Sequence, residues 1–110
     1  SSMLVERLMC QGDATDCLAD GRKNAHKYFK KLAGENPTQP LYKLIAEQFA
    51  ETAAYAHEMY DVLGGWERGE RQLQTFATRE AREKIGSLID KCKAADEKAL
   101  NLLKELLKVL

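Results

Sequence analysis

The side chains best suited to metal chemistry fall within one segment of the sequence. They are Glu47, Glu51, His57 and Glu58. Di-iron helical bundles use carboxylates together with a glutamate placed three residues before a histidine, because that spacing puts both ligands on one helical face. The residue three before His57 is Ala54, and the residue three before His26 is Lys23. The sequence therefore predicts no metal site and no cofactor, but an exposed ion pair between His57 and Asp61.

The sequence also offers few of the parts that nucleophilic catalysis needs. The three cysteines, Cys10, Cys17 and Cys92, follow no zinc-binding spacing. We interpret them as reduced thiols that pack like small apolar residues, which predicts a cytoplasmic protein. A Gly-x-Ser-x-Gly turn and a glycine-rich phosphate loop are both absent from the sequence. We therefore predict no catalytic residue and lean against an enzyme.

A basic run between residues 22 and 31 has the chemistry to contact anions. It comprises Arg22, Lys23, His26, Lys27, Lys30 and Lys31, of which Arg22, Lys23, Lys27 and Lys30 are the candidate anion contacts. Helical spacing places this polar face opposite Gly21, Ala25, Tyr28 and Leu32. The chain has 17 basic and 17 acidic residues, and no aromatic residue is interleaved on that face. We favour a solvated surface and expect no nucleic-acid partner, with an accessory nucleic-acid binder as a weaker alternative.

The elements that must position these residues are helices. Apolar residues recur at three- and four-residue steps, the spacing of one helical face, and no long stretch alternates with a period of two. In the first segment the repeat contains Ala14, Leu18, Gly21, Ala25, Tyr28 and Leu32, and in the second Tyr42, Ile45, Phe49, Thr52, Ala56, Met59 and Leu63. In the third it contains Ala81, Ile85, Leu88, Cys92, Ala95, Ala99, Leu102, Leu106 and Val109. The sequence predicts an all-α fold.

Glycine and proline indicate where these helices begin and end. Gly34 and Pro37 end one helical segment, Pro40 opens the next, and Gly64 closes it. We predict a short helix near 2–11, helices near 13–33 and 40–63, and a long helix near 67–110. A length of 110 residues fits one domain, so we predict that residues 1–110 form a single antiparallel three- or four-helix bundle with a long C-terminal helix.

Two of these boundaries have alternatives. The apolar stripe changes phase at Gly12, and Asp13 is a suitable N-cap, so we favour two N-terminal helices over one bent helix. Gly86 lies within the long helix, but the three- and four-residue spacing continues across it. We favour one continuous helix there over a break that would create a fourth.

The C-terminal segment carries more apolar surface than one seam requires. The candidate interface residues are Trp66, Leu102, Leu103, Leu106, Leu107 and Leu110. This surplus favours a homodimer, or contact with another protein, and the alternative is burial between two helices of one chain.

Each helix also has small residues near its middle, including Gly21, Ala56 and Ala95. They predict close helix approach, with filling by large neighbours or an apolar cavity as alternatives.

These features together predict a non-catalytic, self-associating protein–protein interaction module. No apolar stretch approaches the roughly 20 residues that span a bilayer, so we expect no membrane partner. The alternative function is binding of a small ligand or a metal. The site would be the layer of small residues at the middle of the helices, which we call the thin central layer, or Glu51 and His57.

Overall fold

The computed structural model describes residues 2–62 and 78–110, with side chains from residue 17 onward. This part of the chain contains three helices, α1 (Ser2–Glu35), α2 (Pro40–Val62) and α3 (Arg79–Val109), and no strand. The predicted all-α fold is confirmed. None of these three helices has the long apolar run that crossing a bilayer requires.

α2 packs against both other helices. The turn after α1 is short, and it is held by the Asn36 side-chain amide, which donates to the Leu32 carbonyl at 2.9 Å. His26 contacts Ala46 near the start of α2, whereas Leu18 packs against a cluster that contains Met59 near its end. α1 and α2 are therefore antiparallel, as predicted for the bundle.

The core lies where the three helices meet. Its buried cluster consists of Ala56, Met59, Ile85, Leu88 and Cys92. Leu18 and Ala19 of α1 are half-buried against this cluster. Each large apolar side chain that is fully buried contributes about 1.5–3 kcal/mol, so this cluster helps to hold α1 and α3 against α2.

α3 buries one narrow stripe, close to the predicted one. The buried residues are Ala81, Ile85, Leu88, Cys92, Ala95, Ala99 and Leu106. α3 continues through Gly86 without a break, and this residue is exposed. Val109, which the spacing also placed on the stripe, is 61% exposed because it lies beyond Leu106, the last buried position.

Two helix boundaries differ from the predicted ones. α1 is one helix, with no break at Gly12 and Asp13, because hydrogen bonding in neighbouring turns outweighs the cost of about 1 kcal/mol for an interior glycine. α3 begins at Arg79 rather than near residue 67, because the Thr78 hydroxyl accepts from the Ala81 N–H at 3.2 Å and caps the helix. Residues 63–77 lie outside the described part of the chain.

The side of α1 that faces the bundle also differs from the predicted one. Its half-buried residues are Leu18, Ala19, Arg22, Ala25, His26, Phe29, Leu32 and Ala33. Tyr28 was predicted to face inward but is 60% exposed, and Gly21 is exposed too. Two residues of the predicted solvent face, Arg22 and His26, are instead turned toward the other helices.

Candidate functional site

The first candidate surface is a line of leucines at the C-terminal end of α3, which we call the leucine face. It consists of Leu100, Leu103, Leu107 and Leu110. The steps of three, four and three residues place these side chains in a row beside the buried stripe. Leu100, Leu107 and Leu110 are 50%, 71% and 78% exposed, whereas Leu103 is half-buried.

The structure divides the five predicted interface residues that it describes into three groups. Leu106 is 4% exposed and belongs to the core, and Leu102 is half-buried with Leu103. Leu107 and Leu110 are exposed, whereas Trp66 lies outside the described residues. Leu100 belongs to the apolar surplus of the sequence but was not among the candidate interface residues, although its position three residues before Leu103 on a helix could have placed it there.

A polar cluster, which we call the central clasp, joins all three helices. Arg22 of α1 donates from Nε and Nη2 to the two carboxylate oxygens of Asp96 on α3, at 3.0 and 2.9 Å. The buried Thr52 hydroxyl of α2 lies 3.2 Å from Asp96 Oδ1 and 3.3 Å from the Gln48 carbonyl oxygen. Either oxygen can accept the hydrogen bond that this hydroxyl donates. The hydrogen bond to Asp96 raises the pKa of Arg22 above its ordinary value.

The clasp changes the set of candidate anion contacts. Arg22 was predicted to contact an external anion. It donates instead to Asp96, 74 residues away in the sequence, and so is not available for that contact. Lys23, Lys27 and Lys30 are exposed, as expected for anion contacts. Local spacing could not reveal the commitment of Arg22, because its partner is on another helix.

The two histidines have separate surroundings. His26 donates from Nδ1 to the Ala46 carbonyl at 2.8 Å and so links α1 to α2. His57 lies 3.3 Å from Asp61, so the predicted pair is present, and both side chains are mostly exposed. Glu51 accepts the Tyr55 hydroxyl at 3.4 Å. Across residues 17–62 and 78–110, no three His, Cys, Asp or Glu side chains are grouped to hold a metal ion.

The thin central layer is a region of direct contact between α2 and α3. Its buried residues are Thr52, Ala56, Cys92, Ala95 and Ala99. The Cys92 thiol lies 3.8 Å from the Thr52 carbonyl, and this short distance requires the two helices to lie close together. Beside the layer, Gln48, Tyr55 and Lys91 line an open groove of about 90 Å³, and Gln48 Oε1 is buried there without a hydrogen-bond partner among the described residues.

The two described cysteines should differ strongly in reactivity. Burial raises the pKa of the Cys92 thiol, the negative charge of Asp96 raises it further, and Arg22 partly opposes both effects. Cys17 is exposed. Since the thiolate is the nucleophile, iodoacetamide near neutral pH should modify Cys17 in the folded protein and Cys92 only after unfolding. Peptide mass spectrometry over a time course with and without urea measures this, and equal rates in the folded protein would contradict the burial of Cys92.

The geometry thus offers two candidate functional features, an apolar surface on α3 and a basic surface on α1, held in place by the clasp and the core. Comparisons of the chain with protein-family models, with curated proteins and with solved structures give no match.

Proposed function

We propose that this protein is a non-catalytic interaction module that self-associates through the leucine face of α3. The observation that carries the proposal is the exposure of Leu100, Leu107 and Leu110 in one row. Single exposed leucines are common on protein surfaces, but a contiguous apolar row is typical of a contact surface. Covering this row removes apolar area from water, which supplies the driving force for association.

Two of the charges beside the leucine face suit a second copy of the chain as the occupant. Glu97 lies at one end of the face and Lys108 at the other, and both are exposed. In an antiparallel pair with its two-fold axis near Leu103, Glu97 of each copy lies near Lys108 of the other, and Leu100 lies opposite Leu107. A parallel pair would instead place Glu97 and Lys108 of each copy on opposite flanks of the interface from those of the other copy, and so would form no such pair.

The size of the face sets the strength of the complex. Residues 100–110 span about 15 Å of helix. Such a contact is smaller than the roughly 800 Å² per partner of a stable complex, so we expect a weak dimer that forms at micromolar concentrations.

Cys17 and Cys92 are free thiols, which supports a reducing compartment such as the cytoplasm for this assembly.

Leu107→Gln should shift the protein toward the monomer. The substitution places two amides in the apolar contact, one from each copy, and should weaken the dimer at least tenfold, or about 1.4 kcal/mol. Light scattering coupled to size-exclusion chromatography, from low to high micromolar concentration, measures the change. Leu44→Gln is the matched control, because Leu44 is 43% exposed on α2, outside the leucine face. A wild-type monomer at every concentration, or an equal effect of both variants, would refute the proposal.

A charge swap tests the antiparallel arrangement. Glu97→Lys and Lys108→Glu should each weaken the dimer, because each places like charges together across the interface twice. The double variant should recover the wild-type dissociation constant, since the pair is then only reversed. Sedimentation equilibrium at low ionic strength gives these constants, and a double variant that is weaker than either single one excludes this pairing.

A further inference from the structure

The outer side of α1 is a second exposed surface, which we call the lysine face. It consists of Lys23, Lys27, Lys30 and Lys31, all exposed. Steps of four, three and one residues place these side chains on one side of the helix. No acidic residue occurs from Gly21 to Gly34, and none of the four lysines forms an ion pair with another residue of the described chain. Their charges are therefore available to an external anion.

An aromatic ring borders the lysine face. Tyr28 is 60% exposed and lies three residues before Lys31 and four after Asn24, the separations at which side chains are neighbours on a helix. Its ring meets Phe29 edge-on, with the ring centroids 5.4 Å apart and the planes at 88°. The sequence had indicated no aromatic residue on this side, because Tyr28 was predicted to face inward. Its exposure reopens the question of a nucleic-acid ligand.

The chemistry of the face determines which feature of a nucleic acid it could recognise. Arg22 is held by Asp96, so the exposed cations of this face are lysines. Arginine reads guanine edges through two parallel hydrogen bonds, whereas lysine is a point charge that suits phosphate groups. Contacts to phosphate set position and affinity but carry no base-sequence information. An exposed aromatic ring beside such charges adds a platform on which any base can stack.

We propose that the lysine face and Tyr28 bind single-stranded nucleic acid without base-sequence preference. The lysines contact successive phosphates over about 12 Å of helix, and the Tyr28 ring stacks on one base. A membrane surface fits less well, because a helix that inserts into lipid needs an exposed apolar side, and Leu18 and Phe29 of α1 pack toward the other helices. This proposal does not rest on self-association, and variants of the leucine face should keep the activity.

Fluorescence anisotropy with a fluorescein-labelled oligothymidylate, titrated at increasing KCl concentration, tests the proposal. The logarithm of the association constant should fall with the logarithm of salt concentration at a slope near −3, about −0.7 for each of four phosphates neutralised. The double variant Lys27→Gln, Lys31→Gln should reduce that slope by about half and weaken binding about tenfold at low salt. Tyr28→Ala should weaken binding at least fivefold and leave the slope unchanged, because stacking involves no charge.

The control is the double variant Lys84→Gln, Lys98→Gln, which makes the same charge change at exposed positions of α3. Lysine and glutamine have similar helix propensity, so both double variants should fold, as circular dichroism can verify. The control should bind like the wild type. The proposal fails if no binding occurs at low salt, if both double variants lose equal affinity, or if Tyr28→Ala has no effect. It also fails if vesicles rich in phosphatidylserine bind more tightly than the oligonucleotide.

Discussion

Replacing Asp96 by alanine should lower the free energy of unfolding by about 2 kcal/mol, because Arg22 then loses its partner charge while it stays half-buried between helices. Removing one partner of a fully buried pair costs about 3–5 kcal/mol. The Arg22 and Asp96 side chains are 35% and 33% exposed, so water partly replaces the lost contact and the effect is smaller. Thr52 also loses one of its two acceptors. Urea unfolding followed by circular dichroism measures the change.

A second ion pair in α3 gives a matched comparison. Arg79 and Glu83 lie 2.9 Å apart, the same distance as Arg22 and Asp96, but their side chains are 87% and 66% exposed. Glu83→Ala should therefore change stability by no more than about 0.5 kcal/mol. If Asp96→Ala has no larger effect than Glu83→Ala, the clasp stabilises the bundle no more than a surface pair does.

A double-mutant cycle separates the ion pair from other effects of the Asp96 substitution. Arg22→Met keeps much of the aliphatic contact of Arg22 and removes its charge. The variant with both substitutions leaves no unpaired charge, so it should be more stable than the sum of the two single effects implies, by about 1–2 kcal/mol. Strictly additive effects would show that Arg22 and Asp96 do not act as a pair.

α3 illustrates which features local sequence determines. Its apolar residues recur at three- and four-residue steps, so any neighbour that packs on the helix buries the same stripe, from Ala81 to Leu106. The same regularity carries the helix past Gly86. The start of α3 depends on one hydrogen bond of Thr78, which spacing does not encode, and the prediction placed that start too early.

α1 illustrates what local sequence leaves open. Apolar spacing alone put Tyr28 inside and Arg22 and His26 outside, because a polar residue was assumed to prefer water. Arg22 faces inward because it donates a hydrogen bond to Asp96. His26 faces inward because it donates a hydrogen bond to the Ala46 carbonyl. Both partners belong to other helices, so the inward side of α1 is set by tertiary hydrogen bonds that periodicity does not contain.

The leucine face was predictable only in part, for a related reason. Seven apolar residues in the last eleven positions predicted more apolar surface than one seam can bury. They did not predict which of these side chains lie in the core and which face solvent. The division depends on which side of α3 packs against α2. Leu106 lies on that side and Leu107 does not, although the two are adjacent in sequence.

Replacing Ala56 by leucine should lower the free energy of unfolding by about 3 kcal/mol, the upper end of the range for overpacking a core. Ala56 is fully buried within the cluster that contains Cys92, and it lies one helical turn from Thr52. A larger side chain there has to push α2 and α3 apart, because the short distance between Thr52 and Cys92 leaves little room. Ala54→Leu makes the same change at an exposed position of α2 and should be close to neutral.

The sign of the Ala56→Leu effect separates close helix packing from an apolar cavity. A cavity would accept the added methyl groups, and the variant would then be as stable as the wild type or more stable. Close packing predicts destabilisation and a second effect. Because Thr52 lies one turn away, displacing α2 also lengthens its hydrogen bond to Asp96. In the Ala56→Leu background, Asp96→Ala should therefore cost less than in the wild type, and a full additional loss would mean that the thin layer and the clasp are independent.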